Sequence, residues 1–269
     1  MQPESIIRSR QNPFFKQLRL LLRRDRRHQE RAFLVEGPRI IADALASGAI
    51  PTLLAYSEAQ ASSADWIEIP GVPTRILDGE LFSSIADTVA SQGMLAVFPI
   101  PVLEPPPGRN PFLLIVDGVQ DPGNLGTLIR SAAGAGATQV VALPGTADPW
   151  APKTVRAAAA AHFLVPVVML SVSELADHLP RPCRLVAADA SGATFYNECD
   201  FTGPISVIVG SEGKGLSSGT LMLDPLMVSI PLATGLESLN AAVAGSIILF
   251  EASRQRRDQS KLTKTLVSG

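Results

Sequence analysis

Apolar positions along the chain fall into two regimes. Up to about residue 98 the apolar runs are short and interrupted by charge; beyond residue 111 they are long and unbroken. In the first regime NPFFKQLRLLLRRDRRH (12–28) places Phe14, Leu18, Leu21 and Leu22 at helical spacing with arginines between them, which predicts one helix. AFLVEG, TLLAYS, TRILD and GMLAVF predict short strands, with the apolar IIADALASG as a helix between the first two. In the second regime FLLIVDG (112–118), TQVVALP (138–144), FLVPVVML (163–170), RLVAADA (184–190), ISVIVG (205–210) and LMVSIP (226–231) are continuous apolar runs. Such runs suit strands covered on both faces, as in a parallel sheet between helices. NLGTLIRSAAGAG and PKTVRAAAAAHF supply helices between them. The fold class is therefore α/β, with ligands expected at the carboxyl ends of the strands of a mostly parallel C-terminal sheet.

The boundary is compositional. FPIPVLEPPPGRNP (98–111) holds six prolines, too many for a helix or a central strand, and predicts a stiff linker. The predicted organisation is residues 1–98 as a small α/β domain, 99–111 as linker and 112–269 as a larger domain.

Composition adds exclusions. With 46% apolar and 18% charged residues the chain has material for a full core, so disorder is not expected. No run reaches the length of a membrane span, and MQPESIIRSR lacks the apolar stretch of a secretory signal. Cys183 and Cys199 are the only cysteines and complete no zinc pattern. A cytoplasmic protein that uses no metal and touches no membrane is expected. Charge changes the picture more. Residues 1–40 carry ten Lys and Arg against four Asp and Glu, leaving +6, so the remaining 229 residues sum to −8 within a net −2. This asymmetry points to a polyanion at the basic end, with Arg23, Arg24, Arg26 and Arg27 as candidate contacts; a solvated basic helix is the alternative.

Three segments that follow strand ends carry the candidate chemistry. In DGVQDPGNLGTLIRSAAGAGA (117–137), Pro122 and Gly123 predict a turn and Asn124 the N-cap of a helix whose buried stripe is Leu125, Leu128, Ile129 and Ala132, which directs Arg130 elsewhere. In IVGSEGKGLS (208–217), Gly210, Gly213 and Gly215 permit a sharp bend close to a ligand. The segment is neither a Walker A loop nor a G-x-G-x-x-G fingerprint, which weakens an ATP or nicotinamide reading. In IPLATGLESLNAAVAGSIILFEASRQR (230–256), a strand ends, a loop runs to Ser238 and a largely apolar helix begins, with Ser238 and Asn240 at its mouth, where they either meet a ligand beside the free N–H groups or simply cap the helix.

In order and content these segments resemble the three signature motifs of the SpoU (TrmH-like) branch of the SPOUT superfamily, RNA 2′-O-ribose methyltransferases. They match an Asn…Gly…Arg segment, then Gly-x-Glu-x-x-Gly-Leu-Ser, then Ile-Pro…Ser-Leu-Asn. PKTVRAAAAAHFLVPV resembles the family's stretch between the first two motifs, and SRQNPFFKQLRLLLRRDRRHQERAFLVEGPRII the substrate-binding domain often fused to these enzymes. The resemblance implies a trefoil-knotted C-terminal domain, S-adenosylmethionine (AdoMet) as methyl donor, RNA as substrate (rRNA rather than tRNA, given the fused domain) and a homodimer. It also implies that Gly210, Ile230 and Leu239 contact the cofactor and that Asn124, Arg130, Glu212, Ser238 and Asn240 form the catalytic neighbourhood. Arginine is always protonated near neutral pH, so Arg130 suits charge stabilisation or phosphate binding, and the general base stays unassigned. His28, His162 and His178 all lie outside the motifs.

Two departures are visible. Thr234 stands where the family usually has glycine, and Ala158 and Ala160 stand where serine and glycine are common. The competing readings are a non-catalytic RNA-binding protein that keeps the knot as a dimerisation scaffold, and a Rossmann-type dehydrogenase. The first predicts erosion of Asn124, Arg130, Glu212 or Asn240, which are intact; the second lacks its fingerprint.

Overall fold

The computed structural model describes residues 6–61, 67–86, 91–105, 110–233 and 235–267, with side chains to residue 260. Thr234 and residues 106–109 of the expected linker lie outside the described residues. The chain divides into two compact units, Met1–Val102 with Trp150–Phe163, and Leu103–Pro149 with Leu164–Gly269.

The first unit contains α1 (Pro13–Leu20), α2 (Arg24–Glu30), β1 (Ala32–Glu36), α3 (Pro38–Ala46), β2 (Leu53–Ser57), α4 (Glu58–Ala61), β3 (Thr74–Leu77), α5 (Gly79–Ser83) and β4 (Met94–Pro99). Its sheet has the order β1-β4-β2-β3, with only the β2–β3 pair parallel. All four predicted strands are present, and β4 continues into the first residue of the expected linker.

The single helix expected over 12–28 is two. Asn12 caps α1, its side chain accepting from the Phe14 N–H at 2.9 Å, and Arg23 turns extended (φ −93°, ψ 134°) before α2 begins. The break lets Phe15, Leu18 and Leu21 enter one core with Leu34, Leu77, Phe82 and Leu95. It also turns Arg27 inward. Arg27 is 3% exposed and donates to the Leu21 carbonyl at 2.8 Å, satisfying an acceptor that the broken helix leaves open. Arg27 is thus a structural donor and cannot serve as the surface phosphate contact expected from the sequence.

Alternation in β1 and β4 sends Phe33 and Phe98 to the other face, where the segment 150–163 of the same unit covers them. Ring centroids lie 5.0 Å apart for Phe33–Trp150 and 4.9 Å for Phe98–Phe163. Within that segment the expected continuous helix is α7 (Pro152–Ala158) followed by a 3₁₀ turn (Ala161–Phe163). Ala159 and Ala160 divide them at φ +46° and +66°, the left-handed region that ends helices and that glycine occupies at lower cost.

The second unit comprises β5 (Phe112–Asp117), α6 (Pro122–Ala135), β6 (Gln139–Ala142), β7 (Val167–Met169), α8 (Val172–His178), β8 (Arg184–Ala188), β9 (Thr194–Phe195), β10 (Ile205–Gly210), α9 (Ser218–Leu221), β11 (Leu226–Ser229) and α10 (Ala241–Val267). The order β7-β6-β5-β10-β8-β11-β9 is parallel throughout. The two central strands are buried at every residue, as the unbroken runs predict. On one face Leu175 of α8 joins Ile115, Val141 and Ile208. On the other, α6 and α10 pack together, with the Ser131 and Ser246 hydroxyls 2.7 Å apart. Gly245 permits that approach: a Cβ there would stand 2.6 Å from Leu128 and 2.8 Å from Val209. At the opposite end of the sheet from the site, the Arg256 guanidinium donates to the carbonyls of Asn110, Phe201 and Gly203 and lies over the Phe112 ring, fixing α10 across the strand starts.

Arg27→Ala should destabilise the protein by about 1–3 kcal/mol, the cost of leaving a buried carbonyl without its donor, whereas Arg24→Ala at an exposed position should stay within about 0.5 kcal/mol of the parent. Parallel urea melts check both.

Candidate active site

The site lies where the sequence reading expects it, at the carboxyl ends of the parallel strands. Gly210 ends β10 beside Asp117 of β5 in register, Ala188 ends β8, and Val228, paired with Ala188, is the next-to-last residue of β11. Between these ends and the start of α10 opens a cavity of about 790 Å³. Its wall includes Gly210, Ile230 and Leu239 as well as Asn124, Glu212, Ser238 and Asn240.

Three of these side chains are joined. Asn240 precedes α10, and its Oδ1 accepts from the N–H groups of Ala242 (3.0 Å) and Val243 (3.2 Å). Capping therefore fixes which way the amide faces, and Nδ2 must point outward. It donates to Asn124 Oδ1 and to Glu212 Oε1, each at 3.1 Å. With Oδ1 so engaged, Asn124 turns its own Nδ2 to Glu212 Oε1. One carboxylate oxygen thus takes donors from two asparagines that lie 116 residues apart in sequence.

Two local expectations need correction. Asn124 is not the N-cap of α6: Asp121 is, its Oδ1 accepting from the Asn124 N–H at 2.9 Å, with Pro122 in the first turn. This leaves the Asn124 side chain for Glu212. Likewise α10 starts at Ala241, so the helix mouth is Asn240, and Ser238 lines the cavity from the preceding loop, outside the hydrogen-bonded trio. Arg130 is not brought to this cluster. It is exposed on α6, roughly 9 Å along the axis from Asn124 at 1.5 Å per residue, and is not part of the cavity wall.

Glu212 is presented by a closed turn. The Ser211 N–H donates to the Gly215 carbonyl (3.0 Å) and the Gly215 N–H to the Ser211 carbonyl (2.9 Å), with Gly215 at φ +64°. Gly210 has no room for a side chain, since a Cβ would meet the Gly215 carbonyl carbon and oxygen at 2.7 Å. Gly210 also lines the cavity.

Sequence reasoning missed Asp121 and Asp189, which also line the cavity. Asp-Pro ahead of an apolar helix was a readable cap signal for Asp121. Asp189 follows a strand end, where its Oδ1 accepts from the Ser191 N–H at 2.7 Å. Among the described residues the wall therefore carries three carboxylates and no lysine or arginine, a match for a cationic ligand. With Val228, Ile230, Leu232 and Leu239 as an apolar side, the volume and chemistry fit AdoMet, a sulfonium with an aromatic base.

Of the basic residues expected at RNA, Arg24 is exposed. Arg23 is exposed and paired with Asp25 at 2.9 Å, and Arg26 donates to Gln29 at 2.8 Å. Burial pushes the thiols of Cys183 and Cys199 above their ordinary range, so neither is a ready nucleophile. Among the described residues no group of His, Cys, Asp and Glu is arranged to hold a metal ion, and no helix is long and apolar enough to cross a membrane.

Comparisons with known proteins identify the family. Residues 111–250 match the SpoU rRNA methylase family and residues 12–96 the MRM3-like substrate-binding domain. The chain is 34% identical to an uncharacterized tRNA/rRNA methyltransferase of Synechocystis over 93% of this chain and 94% of that one. It is also 34% identical to the 23S rRNA (guanosine(2553)-2′-O)-methyltransferase RlmP of Bacillus subtilis, over 91% and 97%. Among solved structures, the SpoU methyltransferase AviRb of Streptomyces viridochromogenes, in complex with AdoMet, superposes with a TM-score of 0.82 at 31% identity over 91% of this chain and 98% of that one. The trio at the strand ends, the glycine turn and the fused N-terminal unit are thus features of a member of the SpoU rRNA methylase family, whose trefoil knot this membership implies.

Proposed function

We propose that the protein transfers a methyl group from AdoMet to a ribose 2′-hydroxyl of ribosomal RNA. The observation that carries this reading is the Asn124–Glu212–Asn240 cluster at the mouth of a cavity walled by three carboxylates. AdoMet, once bound, supplies a methyl group already activated by its sulfonium charge.

The chain's own residues then bind and orient. Gly210, Ile230 and Leu239 hold the donor against backbone and apolar surface. Glu212 receives its hydrogen bonds on Oε1, which leaves Oε2 to accept from a ribose hydroxyl. Asn124 and Asn240 keep that carboxylate from rotating, and Ser238 offers a further hydroxyl at the wall. In-line placement of this kind accounts for much of the rate in a displacement that needs no covalent intermediate.

Arg130 enters the reading through a second copy of the chain. Val243 and Phe250 are 47% and 48% exposed and seven residues apart on one face of α10, and Phe250 lies against Gly134 of α6, one turn along that helix from the exposed Arg130. A homodimer formed on this face would carry Arg130 to the partner's site, where its permanent charge stabilises the oxyanion or binds a phosphate. RNA affinity falls to Arg23 and Arg24 with Arg26, and the site of action is the cytoplasm.

Ribose methylation mapped in RNA from cells with and without the gene should lose one or a few rRNA sites; an unchanged map favours the scaffold alternative, a non-catalytic RNA-binding dimer. Glu212→Gln and Arg130→Ala should each lower turnover by a factor on the order of 100, with AdoMet affinity kept for Arg130→Ala, measured by single-turnover methyl transfer. Gly210→Ala should weaken AdoMet binding at least about ten-fold in calorimetry, with a chelator present, because the turn must move to admit the methyl group. Replacing Arg23, Arg24 and Arg26 by alanine should flatten the salt dependence of RNA binding, by about one unit of slope for each phosphate no longer neutralised. Sedimentation at micromolar concentration should show a dimer.

A further inference from the structure

We propose that Asp117 is a positioning residue for methyl transfer, holding the turn that presents Glu212; this rests on the reading of Glu212 given above. Asp117 is the last residue of β5, 3% exposed, and its Oδ2 accepts the Ser217 N–H at 2.7 Å. Two routes lead from it to one place. Seven residues along the chain lies Asn124; across the carboxylate lies Ser217, five residues beyond Glu212. The Asn124–Glu212 hydrogen bond closes the circuit.

The turn needs such a tie. Its internal bonds, Ser211 with Gly215 and the Lys214 N–H to Ser211 Oγ (3.2 Å), make it rigid in itself without attaching it to the sheet. It enters from Gly210, beside Asp117 in register, and leaves through Leu216, whose side chain packs on the core, and Ser217. The Asp117 bond therefore decides how the exit of the turn is held at the strand end. Its base is firm: Gly118 (φ +74°) donates its N–H to Thr146 Oγ1 at 2.9 Å, and that hydroxyl donates to the Val116 carbonyl at 3.0 Å. A carboxylate is a stronger acceptor for a backbone N–H than a neutral oxygen, which suits a bond that must hold a charged neighbour in place.

A merely structural role and a positioning role differ in a double-mutant cycle with Glu212. Asp117→Ala should lower the single-turnover rate at saturating AdoMet and RNA at least about ten-fold, with RNA affinity unchanged. Asp117→Asn, whose carbonyl oxygen can still accept the Ser217 N–H, should recover most of that loss. In the Glu212→Gln background Asp117→Ala should cost no more than about two-fold, because little is left to position. A rate within about two-fold of the parent for Asp117→Ala overturns the proposal. So does a loss that persists in full beside Glu212→Gln, or an Asp117→Asn enzyme as slow as the alanine variant. Should Asp117→Ala fail to melt cooperatively, Ser217→Pro removes the N–H at a φ of −65° that proline adopts, and Ser217→Ala keeps it. A slow proline variant beside a faster alanine one supports the proposal, and equal rates overturn it. Full activity of Glu212→Gln alone would overturn the reading of Glu212, and this inference with it, whereas an impaired Glu212→Gln beside a fully active Asp117→Ala overturns this inference only.

Discussion

The two faces of one amide hold the candidate site together. Asn240 must turn its oxygen to the first N–H groups of α10, because a helix start has donors that need an acceptor, and its nitrogen is thereby aimed at Asn124 and Glu212. The orientation of Asn124 follows in turn, since its oxygen is taken by Asn240 and only its nitrogen remains for the carboxylate. Helix capping, a matter of local stability, thus sets the donor and acceptor pattern at the mouth of the cavity.

That pattern can form only if three distant segments meet, and the parallel sheet arranges the meeting. Parallel strands send their carboxyl ends to one edge, so the loops after β5 and β10 and the one leading into α10 converge there. Glycine sets the distances. Gly210 lets the turn fold back on its own strand, and Gly245 lets α10 lie close to Leu128 and Val209, in each case where a methyl group would collide. A glycine inside a helix costs about 1 kcal/mol relative to alanine; here that cost is offset by the packing of the helix which carries Asn240.

The N-terminal unit shows how charge and packing compete for the same side chains. Its basic segment supplies surface arginines, but breaking the segment into two helices draws Arg27 into the interior as a carbonyl donor. Aromatic residues from 150–163 complete the other face of its sheet, so part of this unit's core comes from far along the chain.

Much of this was legible in the sequence. Unbroken apolar runs fixed the parallel sheet, since a strand covered on both faces needs no polar alternation, and the glycines with their neighbouring polar residues marked the ligand edge and the family. Gly210, Asn124, Ser238 and Asn240 were readable from the residues themselves, and Ile230, Leu239 and Glu212 through the family resemblance. What sequence could not supply is which polar group meets which. Asp121 and Asn124 are both good caps by composition, and the choice fell to Asp121 because Asn124 is held by residues 88 and 116 positions away. The break at Leu21–Arg23, the inward turn of Arg27 and the bond from Asp117 to Ser217 have the same origin. Periodicity records which faces are apolar, but a buried polar atom must find its partner wherever the fold brings one, and only the tertiary structure decides that.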